Sequence, residues 1–415
     1  MNANDRKITG FTMAGHAMVH TYELSVPIMM TVWLVEFAAN SATLGTVVAV
    51  GYGLFGVGAL PGGLLVDRFG SRRLIVACLV GMGLSFLLLS IAPGIVGITL
   101  ALGLWGLSAS VYHPAGLSLI SKAVDQRGSA FAYHGMAGNI GIAAGPFVTA
   151  ILLVAVDWRM AAVILAVPAL LAALAGLTVE FDETAAVAAT DGGRHTADID
   201  SFREFVSASR GLFTVGFATV FALVLFNGLY YRGMLTFLPE MLGEFLEPLV
   251  DIAPEEGIGP IPDGRLAREF DLAQYLYAGL LAVGIGGQYV GGRLTDTVSV
   301  ERGLALMLGL LGVIALLFVP AAGTLPTLLL VSVALGFVLF AMQPLSQATI
   351  AKYSPPERRG LSFGYTYLAI FGIGALGASI VGTVLTYAST TAVFVLLAGF
   401  EGIALALALS LIVRE

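Results

Sequence analysis

The chain has 415 residues, 58% of them hydrophobic and only 11% charged, with a mean hydropathy of +0.92. Soluble domains carry roughly 25% charged residues, so this is an integral membrane protein. The net charge of −7 without a basic patch excludes a nucleic-acid binder, and the single cysteine, Cys78, excludes an intrachain disulfide framework and a cysteine-built metal site.

Twelve apolar runs follow one another near 8–36, 42–66, 73–92, 95–121, 129–155, 159–179, 211–238, 272–294, 301–321, 326–350, 360–386 and 390–413. Each approaches the roughly 20 residues that cross a bilayer as a helix. The first is longer than a signal's apolar core of about 7 to 15 residues, so it is expected to stay in the mature protein. Two polar stretches interrupt the series. Residues 180–210 divide the runs six and six, and residues 240–271 hold nine acids against two arginines. The expected organisation is an N-terminal six-helix bundle over 1–179, a cytoplasmic linker over 180–210, and a C-terminal six-helix bundle over 211–415. Its loop 240–271 is expected to be extracellular and solvated.

Orientation follows from the distribution of Lys and Arg. Of the 20 basic residues, sixteen, from Arg6 and Lys7 through Arg72 and Arg73 to Arg414, fall in the segments on the N-terminal side, whereas Arg159, Arg265 and Arg268 fall opposite. Both termini and the linker are therefore expected in the cytoplasm, in a multi-pass protein of the plasma membrane.

In the first run, His16, His20 and Glu23 share one helical face, because steps of four and seven residues return to within about 40° of the start. Ionisable groups at membrane depth are costly unless they face a wet cavity or a partner. Histidines at i and i+4 have a zinc-binding spacing, but the metalloprotease signature needs Glu directly after the first His, and Ala17 stands there. No metal, no cofactor and no enzymatic chemistry are expected. With a rise of about 1.5 Å per residue, His16, His113 in the fourth run and His134 in the fifth share a depth, roughly 9 to 12 Å from the cytoplasmic end.

After the second run comes Gly63-Leu64-Leu65-Val66-Asp67-Arg68-Phe69-Gly70-Ser71-Arg72-Arg73, and this stretch has a later echo. "GGLLVDRFG" at 62–70 recurs as "GGRLTDTVS" at 291–299, which sets Gly292 and Asp296 against Gly63 and Asp67. "YHPAGLSLISK" at 112–122 matches "MQPLSQATIAK" at 342–352, and "RGSAFAY" at 127–133 matches "RGLSFGY" at 359–365. The three shifts are 229, 230 and 232 residues, so the second half is a parallel copy of the first. The repeat pairs His113 with Gln343. Aligning Val26-Pro27 with Leu238-Pro239 sets His20 opposite Arg232.

The Gly63 to Arg73 stretch resembles the signature loop between helices 2 and 3 of the major facilitator superfamily, and the span count, central linker and repeat extend the resemblance over the whole chain. It implies an all-α membrane fold, twelve transmembrane helices in two six-helix bundles around a cavity lined by helices 1, 4, 7 and 10. Arg232, Gln343 and Gln347 would then join His16, His20, Glu23, His113 and His134 along the pathway. Gly63, Asp67, Arg68, Gly70 and Arg72, echoed by Gly292 and Asp296, would be the gating motif. In the fifth run, Gly141, Gly145 and Pro146 resemble the superfamily's antiporter motif in helix 5. Ser110-Val111-Tyr112-His113-Pro114, Gly128, Ala130, Asn139 and His16 are similar to the fosmidomycin resistance branch of drug-efflux proteins. The chain departs from that branch at His20 and Ala115, where acids are usual, which shifts weight onto Glu23.

These readings converge on a secondary active transporter of a small molecule, working by alternating access as a proton-coupled antiporter in efflux, and expected to be monomeric. Its partners are the substrate, protons and the lipid bilayer. Uptake of an organic anion by proton symport is the alternative, favoured by Arg232. A sensor or an intramembrane metalloenzyme is the distant one. Glu401 in the last run, and the 240–271 loop, are left without a role.

Overall fold

The computed structural model describes residues 1–188, 202–250, 272–355 and 359–414, apart from the side chains at 63, 64, 67, 187, 188, 202 and 359. Eleven of its helices are long and apolar enough to cross a membrane. Leu272–Leu294 packs among them as a twelfth. In chain order the spans are span 1 Ala3–Glu36, span 2 Ser41–Phe69, span 3 Ser71–Ser90, span 4 Ile95–Ala109 with Tyr112–Ala123, span 5 Arg127–Ala155 and span 6 Trp158–Thr178. Next are span 7 Val215–Leu246, span 8 Leu272–Leu294, span 9 Val300–Ala321, span 10 Leu325–Lys352, span 11 Arg359–Tyr387 and span 12 Thr390–Arg414. The chain belongs to the all-α membrane class expected from its composition.

Local chemistry fixes where the spans start and turn. Asn2, Asn40, Asp157 and Thr214 cap spans 1, 2, 6 and 7 by accepting from backbone N–H groups of the first turn. Gly70 joins spans 2 and 3 at φ 80° and ψ 151°, a backbone conformation that side chains with a Cβ avoid. The short helix Phe202–Leu212 leads into span 7, with the Tyr365 hydroxyl donating to Ser209 at 2.8 Å.

Packing repeats between the first six spans and the last six. Span 1 lies on 5, 2 on 4 and 3 on 6, and correspondingly 7 lies on 11, 8 on 10 and 9 on 12. The two sets meet where span 2 crosses 11 and span 5 crosses 8. Glycines permit these crossings. A Cβ on Gly56 would collide with the backbone of Gly372, and one on Gly336 with the carbonyl of Leu280.

The repeat extends to single hydrogen bonds. Pro27 lacks an N–H and so leaves the carbonyl of Glu23 without its helical partner, and the Tyr52 hydroxyl of span 2 donates to it at 3.0 Å. Pro239 does the same to Leu235, whose carbonyl accepts from the Tyr277 hydroxyl of span 8, also at 3.0 Å.

Several boundaries differ from the sequence expectation. Span 4 is broken at Ser110–Val111 rather than continuous, because Pro114 cannot donate back to Ser110 and its ring disfavours helix just before it. Span 11 contains a π-helical segment, Leu368–Ile373, at its crossing with span 2. Span 7 begins at Val215 and runs on to Leu246, so the beginning of the expected acidic loop is helical. Two of its acids accept hydrogen bonds: half-buried Glu240 from Ser41 at 2.7 Å and exposed Glu244 from Thr390 at 2.6 Å. Residues 251–271 of that loop and 189–201 of the linker lie outside the described residues.

Candidate functional site

The centre of the molecule holds a chain of buried polar groups. Pro27 and the Tyr52 bond fix the turn of span 1 that carries Glu23. Its carboxylate, 1% exposed, stands 2.5 Å from the guanidinium of Arg232 in span 7 through Oε1 and accepts from His20 Nδ1 at 2.6 Å through Oε2. His20 Nε2 in turn faces His16 Nε2 at 3.1 Å, and His16 Nδ1 donates to the carbonyl of His134 at 2.7 Å. The Tyr112 hydroxyl donates to the carbonyl of Thr12, so its oxygen is left to accept from His134 Nε2 at 3.2 Å. Groups from spans 1, 4, 5 and 7 thus form one connected path.

Span 5 makes room for this path by lacking side chains. A Cβ at Gly138 would strike the His16 ring, and one at Gly141 the backbone of Ala17. The His16 ring therefore stacks on His134 with centroids 3.9 Å apart. His113 stands edge-on to His16 at 5.2 Å and stacks on Tyr367 of span 11 at 5.3 Å. Its Nε2 is buried with no hydrogen-bond partner among the described residues.

Arg232 is 2% exposed and sits over aromatic faces, 4.0 Å from the Tyr52 ring and 4.9 Å from that of Phe371. Its Nε and one Nη have no hydrogen-bond partner among the described residues. A buried guanidinium with a fork of free donors is suited to a carboxylate or phosphate.

Of the residues expected along the pathway, His16, His20, Glu23, His113, His134 and Arg232 come together in this cluster. Gln343 is half-buried and Gln347 exposed, and neither makes a hydrogen bond among the described residues. The signature loop behaves differently. Arg72 reaches the C-terminal end of span 6, donating to the carbonyls of Gly176 at 2.8 Å and Leu177 at 3.0 Å, while its backbone N–H donates to Glu183 at 3.1 Å. Its contacts are thus with span 6 and the residues just after it. Arg68 is exposed, Gly70 makes the turn already described, and the side chain of Asp67 lies outside the described residues. Gly292 has open space around it, and Asp296 is exposed.

Among the aromatic walls, Tyr52, Tyr367 and Phe371 carry no sequence signal of their own, and Tyr112 enters only within the Ser110 to Pro114 stretch. The paired prolines Pro27 and Pro239 carry the signal for the donor tyrosines Tyr52 and Tyr277. Glu401 now has a partner, since Asn227 of span 7 donates to its Oε1 at 2.9 Å, while its Oε2 is buried and unbonded.

The family model described as Major Facilitator Superfamily matches residues 10–251 and 258–415. The chain belongs to the major facilitator superfamily. Among curated relatives, it is 37% identical over 123 residues to the puromycin resistance protein pur8 of Streptomyces alboniger, covering 29% of this chain and 24% of that protein. It is 32% identical over 136 residues to a Na(+), Li(+), K(+)/H(+) antiporter of Planococcus maritimus, covering 31% of each. The matched stretches thus span a third or less of those relatives. Among solved structures, a bacterial homologue of the human lysosomal transporter Spinster, in an inward-facing and occupied conformation, aligns with a TM-score of 0.72 at 15% identity, over 99% of this chain and 97% of that one. The nucleoside transporter NupG aligns with 0.71 at 12%, over 99% of both. At these identities the structures establish the fold. Family membership and fold are thereby established, over essentially the whole chain.

Proposed function

We propose that this transporter is a proton-coupled exporter of a small polar or amphipathic compound, working as a plasma-membrane monomer with both termini in the cytoplasm. The observation that carries the reading is the buried ion pair between Glu23 of span 1 and Arg232 of span 7, which ties the first six spans to the last six through a group that accepts protons. With Glu23 ionised, its charge is matched by Arg232 and the two sets are held together. Protonation removes that charge, frees Arg232, and lowers the cost of separating the sets. His20 and His16 link Glu23 to the backbone carbonyl of His134, and their facing ring nitrogens are suited to hold a proton beside the carboxylate.

The pattern of contacts between the two sets supports alternating access. Among the described residues, Ser41 bonds to Glu240 at 2.7 Å, the Ala42 N–H to Thr386 at 2.9 Å, Thr46 to Ser379 at 3.0 Å and Gln274 to Thr31 at 3.1 Å. All four lie at the end of the bundle where span 1 finishes. With a cytoplasmic N-terminus this is the extracellular seal, and export requires it to open when the Glu23–Arg232 pair parts. The resistance and cation/proton antiporter relatives favour efflux by exchange.

A second reading is favoured by the free donors of Arg232, which would bind an organic anion carried inward with a proton. Proteoliposomes of defined orientation separate the two. With puromycin as the first probe, export predicts probe movement opposite to an imposed proton gradient, whereas anion uptake predicts that carboxylate probes and protons move together.

A further inference from the structure

We propose that His16, His20 and His113 form a binding site for a divalent transition-metal ion within the translocation pathway. Each offers a ring nitrogen, and these nitrogens lie within 4.8 Å of one another. The surrounding hydrogen bonds aim the lone pairs. A carbonyl only accepts, so the bond to His134 places a proton on His16 Nδ1, and the ionised Glu23 carboxylate does the same for His20 Nδ1. The two Nε2 atoms then face each other at 3.1 Å. With both rings neutral this sets lone pair against lone pair, an arrangement that needs a proton or a cation between them.

The spacing of His16 and His20 fits a cation, and His113 would close on it by a small shift. Around a tetrahedral ion with ligand nitrogens at about 2.0–2.1 Å, neighbouring nitrogens stand about 3.3 Å apart. His113 supplies the third nitrogen, its buried Nε2 being unpartnered among the described residues, with ring centroids 5.2 Å from His16 and 5.7 Å from His20. In metal sites the other ring nitrogen of each ligating histidine characteristically donates to a carbonyl or carboxylate, as those of His16 and His20 do here. Imidazole ligands suit Zn²⁺, Ni²⁺ or Cu²⁺ rather than Mg²⁺ or Ca²⁺, and three protein ligands leave a fourth position open. The spacing of His16 and His20 alone, without a following Glu, argued against a metalloprotease; the third histidine comes from another span. Ion and proton are alternative occupants of the gap between His16 and His20, so binding releases protons.

The proposal rests on the transport reading only for its location in the pathway. Its test is binding to detergent-purified full-length protein, which requires no flux and can fail or succeed independently of transport. Co²⁺ titration is expected to be saturable, to give the intense visible bands of tetrahedral nitrogen ligation, and to be reversed by Zn²⁺. His16→Ala, His20→Ala and His113→Ala should each weaken binding at least ~10-fold, and Glu23→Gln, which alters the orienting partner, by about 10- to 100-fold. Should an alanine variant fail to give a monodisperse protein, X-ray absorption of the Zn²⁺-loaded wild type decides, with about three nitrogen neighbours near 2.0 Å expected. Absence of saturable binding, a spectrum of octahedral oxygen ligation, or binding untouched by all three substitutions overturns the site.

Discussion

Glu23 and Arg232, one in each half of a duplicated fold, meet at 2.5 Å with side chains 1% and 3% exposed. Their repeat positions are not equivalent: the copy of the first half sets Arg232 opposite His20, a turn from Glu23. The pair is therefore an asymmetric addition to a symmetric frame. The frame supplies Pro27 and Pro239 with their donor tyrosines, and the charges distinguish the halves.

Removing one partner leaves the other buried and uncompensated, which typically costs about 3–5 kcal/mol. We expect Glu23→Gln and Arg232→Gln each to lower the thermal stability of the purified protein, and the double variant to be less destabilised than the sum. A double-mutant cycle by thermal unfolding in one detergent measures this, and strict additivity would disprove the coupling.

Gly138 and Gly141 are expected to be intolerant for different reasons. Gly138→Ala presses on a side chain, the His16 ring, and should preserve folding while impairing any function that depends on His16. Gly141→Ala presses on the backbone of Ala17 and should reduce the yield of folded protein. Size-exclusion profiles compared with flux distinguish the two.

At Gly70 the positive φ of 80° predicts strain for any other residue. Gly70→Ala should cost about 1–3 kcal/mol, visible as a lower unfolding midpoint, whereas Gly292→Ala, with no atom within 4 Å of the added Cβ, should have a much smaller effect.

Glu401 is placed by Asn227, so its contribution is expected to be structural. Glu401→Gln retains an acceptor for Asn227 and should be mild. Glu401→Leu strands a buried amide, a loss of about 1–3 kcal/mol, measurable by thermal unfolding. Loss of proton coupling in Glu401→Gln with stability intact would contradict that assignment.

Much of this architecture was legible because membrane helices announce themselves by length and the repeat by its ordered matches. The cluster of His16, His20, Glu23, His113 and His134 was legible because ionisable residues are rare at membrane depth. What escaped depends on the third dimension. Helix periodicity does not reveal that span 4 breaks before Pro114, since most spans here carry a proline without interruption. The bonds that Ser41 and Thr390 donate to Glu240 and Glu244 are not legible in sequence, because the partners come from distant parts of the chain. Gln343 is the repeat partner of His113, yet the second half does not reproduce the packing that gathers the histidines, because the span 5 counterpart brings a π-helical turn and Tyr367 to the centre instead.

The most direct measurement compares Glu23→Gln with the wild type in proteoliposomes in two modes: transport driven by a proton gradient, and substrate counterflow without one. If Glu23 is the proton-accepting link between the halves, the variant should lose gradient-driven movement by an order of magnitude or more while retaining counterflow. Gradient-driven transport at the wild-type rate in a folded Glu23→Gln protein would contradict that role.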